Sequence, residues 1–129
     1  MKFGQAIRSC FNKYASFSGR ASRSEYWYFA LFTILVTIAA VLLDEILFAE
    51  LPILDWIVTA VFLIPSLSVG ARRLHDRDLS AWWILLSLVP IVGWIIFLVW
   101  ACQRGTSGSN RFGPDPLLVP VNNTILARA

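Results

Sequence analysis

Residues 79–103 read LSAWWILLSLVPIVGWIIFLVWACQ, 25 consecutive positions without an Asp, Glu, Lys, Arg or His. A helix needs about 20 apolar residues to cross the hydrocarbon of a bilayer, within a range of roughly 17 to 25. The run is apolar around its whole circumference, whereas a surface helix of a soluble fold carries one apolar stripe. Outward from it, Trp56 to Ala71 is a charge-free run of 16 residues and Tyr26 to Leu43 one of 18. The Tyr26 run gains length from Ile46, Leu47 and Phe48 beyond Asp44 and Glu45. The Trp56 run is long enough if it starts near Leu51 and keeps Asp55 at headgroup level. Arg72 and Arg73 at its other end can extend their guanidinium groups to water.

The expected fold is therefore an all-α integral membrane protein with three transmembrane helices, spanning about 26–47, 52–71 and 80–102. An N-terminal amphipathic interfacial helix over about 3–15 precedes them, within one membrane domain over 1–116, and 117–129 form an irregular C-terminal tail. Composition agrees: 57% of the 129 residues are hydrophobic and 15% charged, against roughly a quarter charged in soluble domains. Three buried core helices would leave almost no polar residues to coat an exterior, so a water-soluble enzyme is excluded, as are a disordered tail and a disulfide-stapled module. A net charge of +3 is too small for a nucleic-acid binder. The first run starts after residue 25 and no small-residue cleavage site follows it, which makes it a retained anchor.

Orientation follows from Lys and Arg in the short flanks. The N-terminal flank holds Lys2, Arg8, Lys13, Arg20 and Arg23, and the second loop Arg72, Arg73 and Arg77. The first loop has only Asp44, Glu45, Glu50 and Asp55. The N-terminus and second loop are expected in the cytoplasm. Three full crossings put the tail outside, against the preference of Arg104 and Arg111. Pro90 and Gly93 could instead fold the third run into a re-entrant hairpin, but each arm would then have only about ten residues, or roughly 15 Å of helix. A hairpin tip in lipid also strands backbone groups unless protein covers it. One kinked crossing is the expectation.

Phe3, Ile7, Cys10, Phe11 and Tyr14 recur at helical spacing, with Lys2, Gln5, Arg8, Asn12 and Lys13 between them. This suits a helix lying on the inner leaflet with its basic face toward anionic headgroups, or equally a short helix folded against the bundle. Ser22 and Glu25 fit a capping box ahead of the first span. Tyr26, Trp27 and Tyr28 suit an aromatic belt.

The second loop, Arg72-Arg73-Leu74-His75-Asp76-Arg77-Asp78, is chemically the richest stretch. Its arginines could grip a phosphate through their planar forks, while His75 and Asp76 moved a proton. The plainer reading is that the arginines obey the positive-inside rule and pair with Asp76, Asp78 or Glu25, since catalysis needs a positioned partner that the sequence does not locate. One His and two distant Cys offer no metal-ligand spacing. Cys10 and Cys102 read as free thiols. No ionisable residue lies deep in any run, which argues against a proton-coupled transporter. From Arg104 to Pro116 three Gly and two Pro mark turns, either a loop over the Arg/His cluster or a solvated tail.

Three motifs now stand in order around the apolar runs. They are Phe17-Ser18-Gly19-Arg20-Ala21-Ser22-Arg23-Ser24-Glu25-Tyr26-Trp27, then Arg72-Arg73-Leu74-His75-Asp76 with Ser80-x-Trp82-Trp83, then Gly105-Thr106-x-Gly108-x-Asn110-Arg111-Phe112-Gly113-x-Asp115-Pro116. Over about residues 3–116 this resembles the family called domain of unknown function 805, small bacterial inner-membrane proteins. Ala81 stands where that family usually has Gly, and Leu79 where a polar residue is common. The resemblance implies a bacterial inner-membrane address and a multi-span fold, and supplies no mechanism. It emphasises Gly19, Arg20, Arg23, Glu25, Arg73, His75, Asp76, Asn110, Arg111 and Asp115. A tail that returned to the cytoplasm would bring these motifs to one face.

The candidate site is thus a cytoplasmic-face cluster of Arg20, Arg23, Glu25, Arg72, Arg73, His75, Asp76, Arg77, Asn110 and Arg111, with no cofactor. The leading functional reading is a non-enzymatic inner-membrane component that binds the phospholipid bilayer, anionic headgroups being one candidate, or a partner, either a second copy or another membrane protein. The alternatives are a membrane enzyme or headgroup-binding protein built on the cluster, and a subunit of an oligomeric channel or transporter.

Overall fold

The computed structural model describes residues 2–49 and 51–117, so Glu50 and all of the expected tail except Leu117 lie outside the described residues. Among the described residues the fold is all-helical: α1 (Phe3–Asn12), α2 (Arg23–Leu47), α3 (Ile53–Asp76), a 3-10 helix (Ala81–Leu88) and α4 (Val92–Cys102). The helices α2 and α3, of 25 and 24 residues, are each roughly 36 Å long at about 1.5 Å per residue. Both are long and apolar enough to cross a bilayer.

Each start has a chemical cause. At the head of α2, the Ser22 hydroxyl accepts the Glu25 N–H at 3.3 Å. The first turn of α3 is capped from a distance: the buried Asp44 carboxylate, still within α2, accepts the N–H groups of Leu54 (2.7 Å) and Asp55 (2.9 Å). A carboxylate there satisfies orphan donors and favours the helix dipole. The hairpin of α2 and α3 is thus locked at its far end by an acid that reads, in the sequence, as a loop charge.

Pro65 lies inside α3. A proline has no N–H for the carbonyl four residues back, which here is Val61. The Tyr14 hydroxyl donates to that carbonyl instead. This bond ties the end of the N-terminal segment to α3, and α1 packs alongside. Phe11 sits edge-on between Phe29 of α2 and Phe62 of α3, at 5.7 and 5.5 Å. The core is this seam: Cys10, Ala21, Phe29, Phe62 and Val69, with Ile7 and Phe11 packed on it. Of the two arrangements open to α1, the structure has the helix folded against the bundle. Cys10 is buried and Ile7 and Phe11 are half-buried against the bundle, while Phe3 and Tyr14 of the same stripe stay exposed together with Lys2, Arg8 and Lys13.

The third apolar run departs from the single kinked crossing expected over 80–102. It is broken at Val89–Ile91 into the 3-10 helix and α4, and both arms end beside the C-terminal end of α3. Arg73 donates to the carbonyls of Ala101 (3.2 Å) and Gln103, and Trp27 near the start of α2 donates to Ala101 at 3.1 Å. The objection to a hairpin was its stranded backbone. The tip answers this internally: Val89 N–H bonds Leu86 O, Val92 N–H bonds Pro90 O at 2.7 Å, and Gly93 N–H bonds Val89 O. The Trp94 indole donates to Ser87 O at 2.7 Å. Pro90 has no N–H to strand. Ile91 takes the left-handed values φ 66° and ψ −67° at this turn, a rare and strained conformation for a side-chain-bearing residue. Gly93 packs directly on the Leu86 carbonyl, where a Cβ would collide with backbone.

The outer surfaces of α2 and α3 invert the soluble pattern. Ile34, Leu35, Ile38 and Leu42 are each more than half exposed, while arginines and acids are buried near the helix ends. A molecule that buries charge and exposes leucine is built for a hydrocarbon solvent.

Candidate functional site

The last turn of α3, the segment before α2 and the loop after α4 meet at one end of the bundle. Gly19 at φ +87° turns the chain so that Arg20 points inward. The i,i+3 spacing puts Arg73 and Asp76 on one face of α3, and their ion pair measures 2.5 Å. Arg20 holds the other Asp76 oxygen at 2.9 Å. All three side chains are at most 5% exposed. One carboxylate therefore serves two guanidiniums, and the surplus donors go to backbone carbonyls. Arg20 donates to Thr106 (2.6 Å), Gly108 (2.7 Å) and Gly113 (3.2 Å). This is the fork geometry of arginine used to gather a loop.

The 105–115 loop is fastened in return. Thr106 N–H bonds the Asp76 carbonyl at 2.6 Å. A side chain on Gly105 would land on the Asp76 carboxylate, so only glycine allows this approach. The Asn110 amide donates to the His75 carbonyl at 2.9 Å and its oxygen accepts the Phe112 N–H. Phe112 stacks flat on the His75 ring, 3.9 Å between centroids and 3° from parallel. Asp115 accepts N–H groups from Gly108 (3.0 Å) and Leu117 (2.9 Å). Burial pushes the Asp115 carboxyl up, but those two N–H bonds and the charges of Arg20 and Arg104 outweigh it and hold the acid below its ordinary value.

A second buried pair lies on the α1 side. Arg72 meets Glu25 at 2.6 Å, and Ser9 of α1 donates to the same carboxylate oxygen at 2.9 Å. Nε and Nη2 of Arg72 have no hydrogen-bond partner among the described residues. Cys10 touches this oxygen at 3.7 Å. Burial, with the Glu25 charge adding to it, pushes its thiol up to about 12, so Cys10 is no nucleophile near neutral pH.

Of the expected site residues, Arg20, Arg73, His75, Asp76 and Asn110 join one network, and Arg72 with Glu25 forms the other. Arg23 is exposed and reaches the Cys102 carbonyl at 3.3 Å. Arg77 donates to the Arg104 carbonyl at 3.2 Å. Arg111 pairs with Asp78 on the surface and lies over the Phe112 ring. His75 and Asp76 are not arranged as an acid–base couple: the His75 Nδ1 bonds the Gly19 carbonyl at 2.9 Å, and both Asp76 oxygens are held by arginine. Sequence reasoning missed Ser9, Asp44 and Trp27 as polar ties. Ser9 lies beside Cys10 on the amphipathic helix, but nothing in the sequence marks it as a partner of Glu25.

The class of molecule is now defined: a small helical membrane protein, knitted at one end by buried arginine–carboxylate pairs. The chain belongs to the family described as protein of unknown function (DUF805), whose model matches residues 14–114. It is 48% identical over 111 residues to Inner membrane protein YhaH of Escherichia coli (strain K12), covering 83% of this chain and 92% of that protein. It is 45% identical over 108 residues to Inner membrane protein YhaI of the same organism, covering 84% and 92%. No solved structure matches the chain. It is thus a member of a family of inner-membrane proteins of unassigned molecular function.

Proposed function

We propose that this protein is a non-enzymatic inner-membrane component whose cytoplasmic face binds anionic phospholipid. In this reading α2 and α3 cross the membrane, the third apolar run is re-entrant, and both the N-terminus and the 105–115 loop lie in the cytoplasm. One observation carries the proposal. The acids at this end of the bundle, Glu25, Asp76 and Asp115, are buried and already engaged. The exposed charge left over is mostly basic: Lys2, Arg8, Lys13, Arg23 and Arg104, with the exposed Asp78 paired to Arg111. A face with no free acid or base and surplus exposed cations suits recognition of anionic headgroups better than proton chemistry. The orientation rests on the lysine and arginine bias of the flanks.

Topology comes first in the test. Ser109→Cys, in a chain with Cys10→Ser and Cys102→Ser, should resist an impermeant maleimide in intact cells and react after lysis. Labelling in intact cells would place the loop outside and defeat the proposal. Lipid preference comes second: protein purified in mild detergent should retain phosphatidylglycerol over phosphatidylcholine, and equal retention would defeat it too.

A further inference from the structure

Between the start of α2 and the loop after α4 lies a cavity of about 210 Å³, lined by Ser22, Arg23, Ser24, Asp76, Arg104, Gly105 and the apolar Leu117. Its charge is lopsided. Asp76 contributes a carboxylate that Arg20 and Arg73 already share, and the nearby Asp115 is spent on two backbone N–H groups. With Arg23 and Arg104 added, four guanidiniums face two acids, a formal excess of two positive charges. Arg23 spends one nitrogen on a neutral carbonyl, Cys102 O at 3.3 Å. Arg104 is exposed, and its side chain makes no hydrogen bond among the described residues. The Ser24 hydroxyl, 3.1 Å from that of Ser22, adds a neutral donor on the same wall.

A second, apolar cleft of about 250 Å³ lies between α2 and α3, lined by Tyr26, Phe29, Ala30, Thr33, Ile34, Ser66 and Val69. No residue lines both hollows, but they lie in line along the bundle: the N-cap Ser22 is followed at helical spacing by Tyr26, Ala30 and Thr33 of α2, and on α3 Ser66 and Val69 precede Asp76 by way of Arg73. Ser22 and Ala30 are eight residues apart, which at about 1.5 Å per residue is roughly 12 Å along α2. That order, with cations and hydroxyls outside and an apolar cleft about 12 Å further in, matches one amphipathic molecule better than it matches a free ion.

We infer that this end of the protein holds a discrete site for one anionic glycerophospholipid. Its phosphate sits in the cavity between Arg23 and Arg104, within reach of the Ser24 hydroxyl, and one acyl chain runs down the cleft past Ala30 and Thr33. The inference rests on the proposed lipid-binding role and sharpens it from a basic surface to a single site of defined stoichiometry. The buried Arg20–Asp76–Arg73 group is the positioning element: it fixes the loop that carries Arg104 against the helix that carries Arg23.

The test is native mass spectrometry of the full chain in mild detergent, titrated with dioleoyl phosphatidylglycerol or phosphatidylcholine. The expected result is one phosphatidylglycerol bound ahead of any further adduct. The variant Arg23→Gln with Arg104→Gln should weaken that first binding about tenfold, as expected when charge-assisted bonds are lost at a partly exposed site. Arg23→Lys with Arg104→Lys should recover part of it. Both positions are exposed, and an unchanged melting curve checks that the fold survives. Full retention by the Gln variant overturns the site. Displacement of the lipid by millimolar inorganic phosphate overturns the choice of a lipid over a free anion. The control is Arg8→Gln with Lys13→Gln on α1. If that variant alone loses binding, the discrete site falls and the broader basic-face role stands; if the wild type shows no headgroup preference, both fall.

Discussion

Arg72 offers five N–H groups and the structure uses one nitrogen, on Glu25. A buried pair so incompletely satisfied contributes little net stability, yet breaking it leaves a lone charge inside. Arg72→Ala should therefore cost about 3–5 kcal/mol. Arg72→Met combined with Glu25→Leu should return most of that loss. Denaturant unfolding in detergent reads both, and a double variant no more stable than the single would refute the account. Asp115 makes a prediction of opposite character. Its folded value is held below the ordinary one, so it stabilises the docked loop above the ordinary carboxylate range, near about 4. That contribution fades as pH falls through the lower folded value. Protease cleavage within 105–115 should accelerate on this acid side, and Asp115→Asn should cleave faster at neutral pH with the acid dependence gone. The partners of these residues were only half legible in the sequence. Pairing of arginines with Asp76 and Glu25 was an expectation from charge alone, but which arginine took which acid depends on how α3 is rotated against α2. Ser9 and Asp44 escaped because a serine on an amphipathic helix and an acid near a loop have ordinary explanations that need no partner.

The helical element least like its sequence expectation is the third apolar run. Its 25 uncharged residues satisfy every length criterion for a crossing, and hydropathy carries no information about whether a run goes through or turns back. What turns it back is a short local code that length arithmetic cannot see: a proline without a donor, a glycine against the Leu86 carbonyl and an indole over the Ser87 carbonyl. The Trp94–Ser87 bond is the most exposed part of that code. Trp94→Phe keeps an aromatic ring and removes the donor, leaving the Ser87 carbonyl without that partner, at a cost of about 1–3 kcal/mol. A lowered melting temperature in detergent is the expected reading, and an unchanged one would mean that the carbonyl finds another donor. The helices α2 and α3 were legible because a bilayer demands long apolar segments and permits few disguises. For α1 the apolar spacing was plain, but the same stripe serves lipid or protein equally, and the ties that hold it to the bundle, Phe11 in the aromatic seam, Ser9 on Glu25 and Tyr14 on the Val61 carbonyl, have no signature in that spacing.

At the scale of the molecule, the two cysteines report on the assembled fold. Cys102 is exposed, whereas Cys10 is buried with its thiol pushed up to about 12. The folded protein in detergent should take up one equivalent of maleimide at neutral pH and a second only after denaturation. Rapid uptake of two would mean that α1 leaves the bundle readily. The hairpin of the third apolar run, re-entrant in the proposed topology, has a further consequence for the lipid around it. On the two-crossing reading, one leaflet must accommodate α2, α3 and both hairpin arms, while the other accommodates α2 and α3 alone. With a helix about 10 Å across, each arm displaces very roughly 80 Å² from one monolayer and nothing from its opposite. The protein is then a wedge, broad on the side of its buried arginines and narrow on the other. A wedge relieves packing stress where a membrane bends and raises it where the membrane is flat. On the two-crossing reading, lateral sorting by curvature would follow from the point at which the chain turns back.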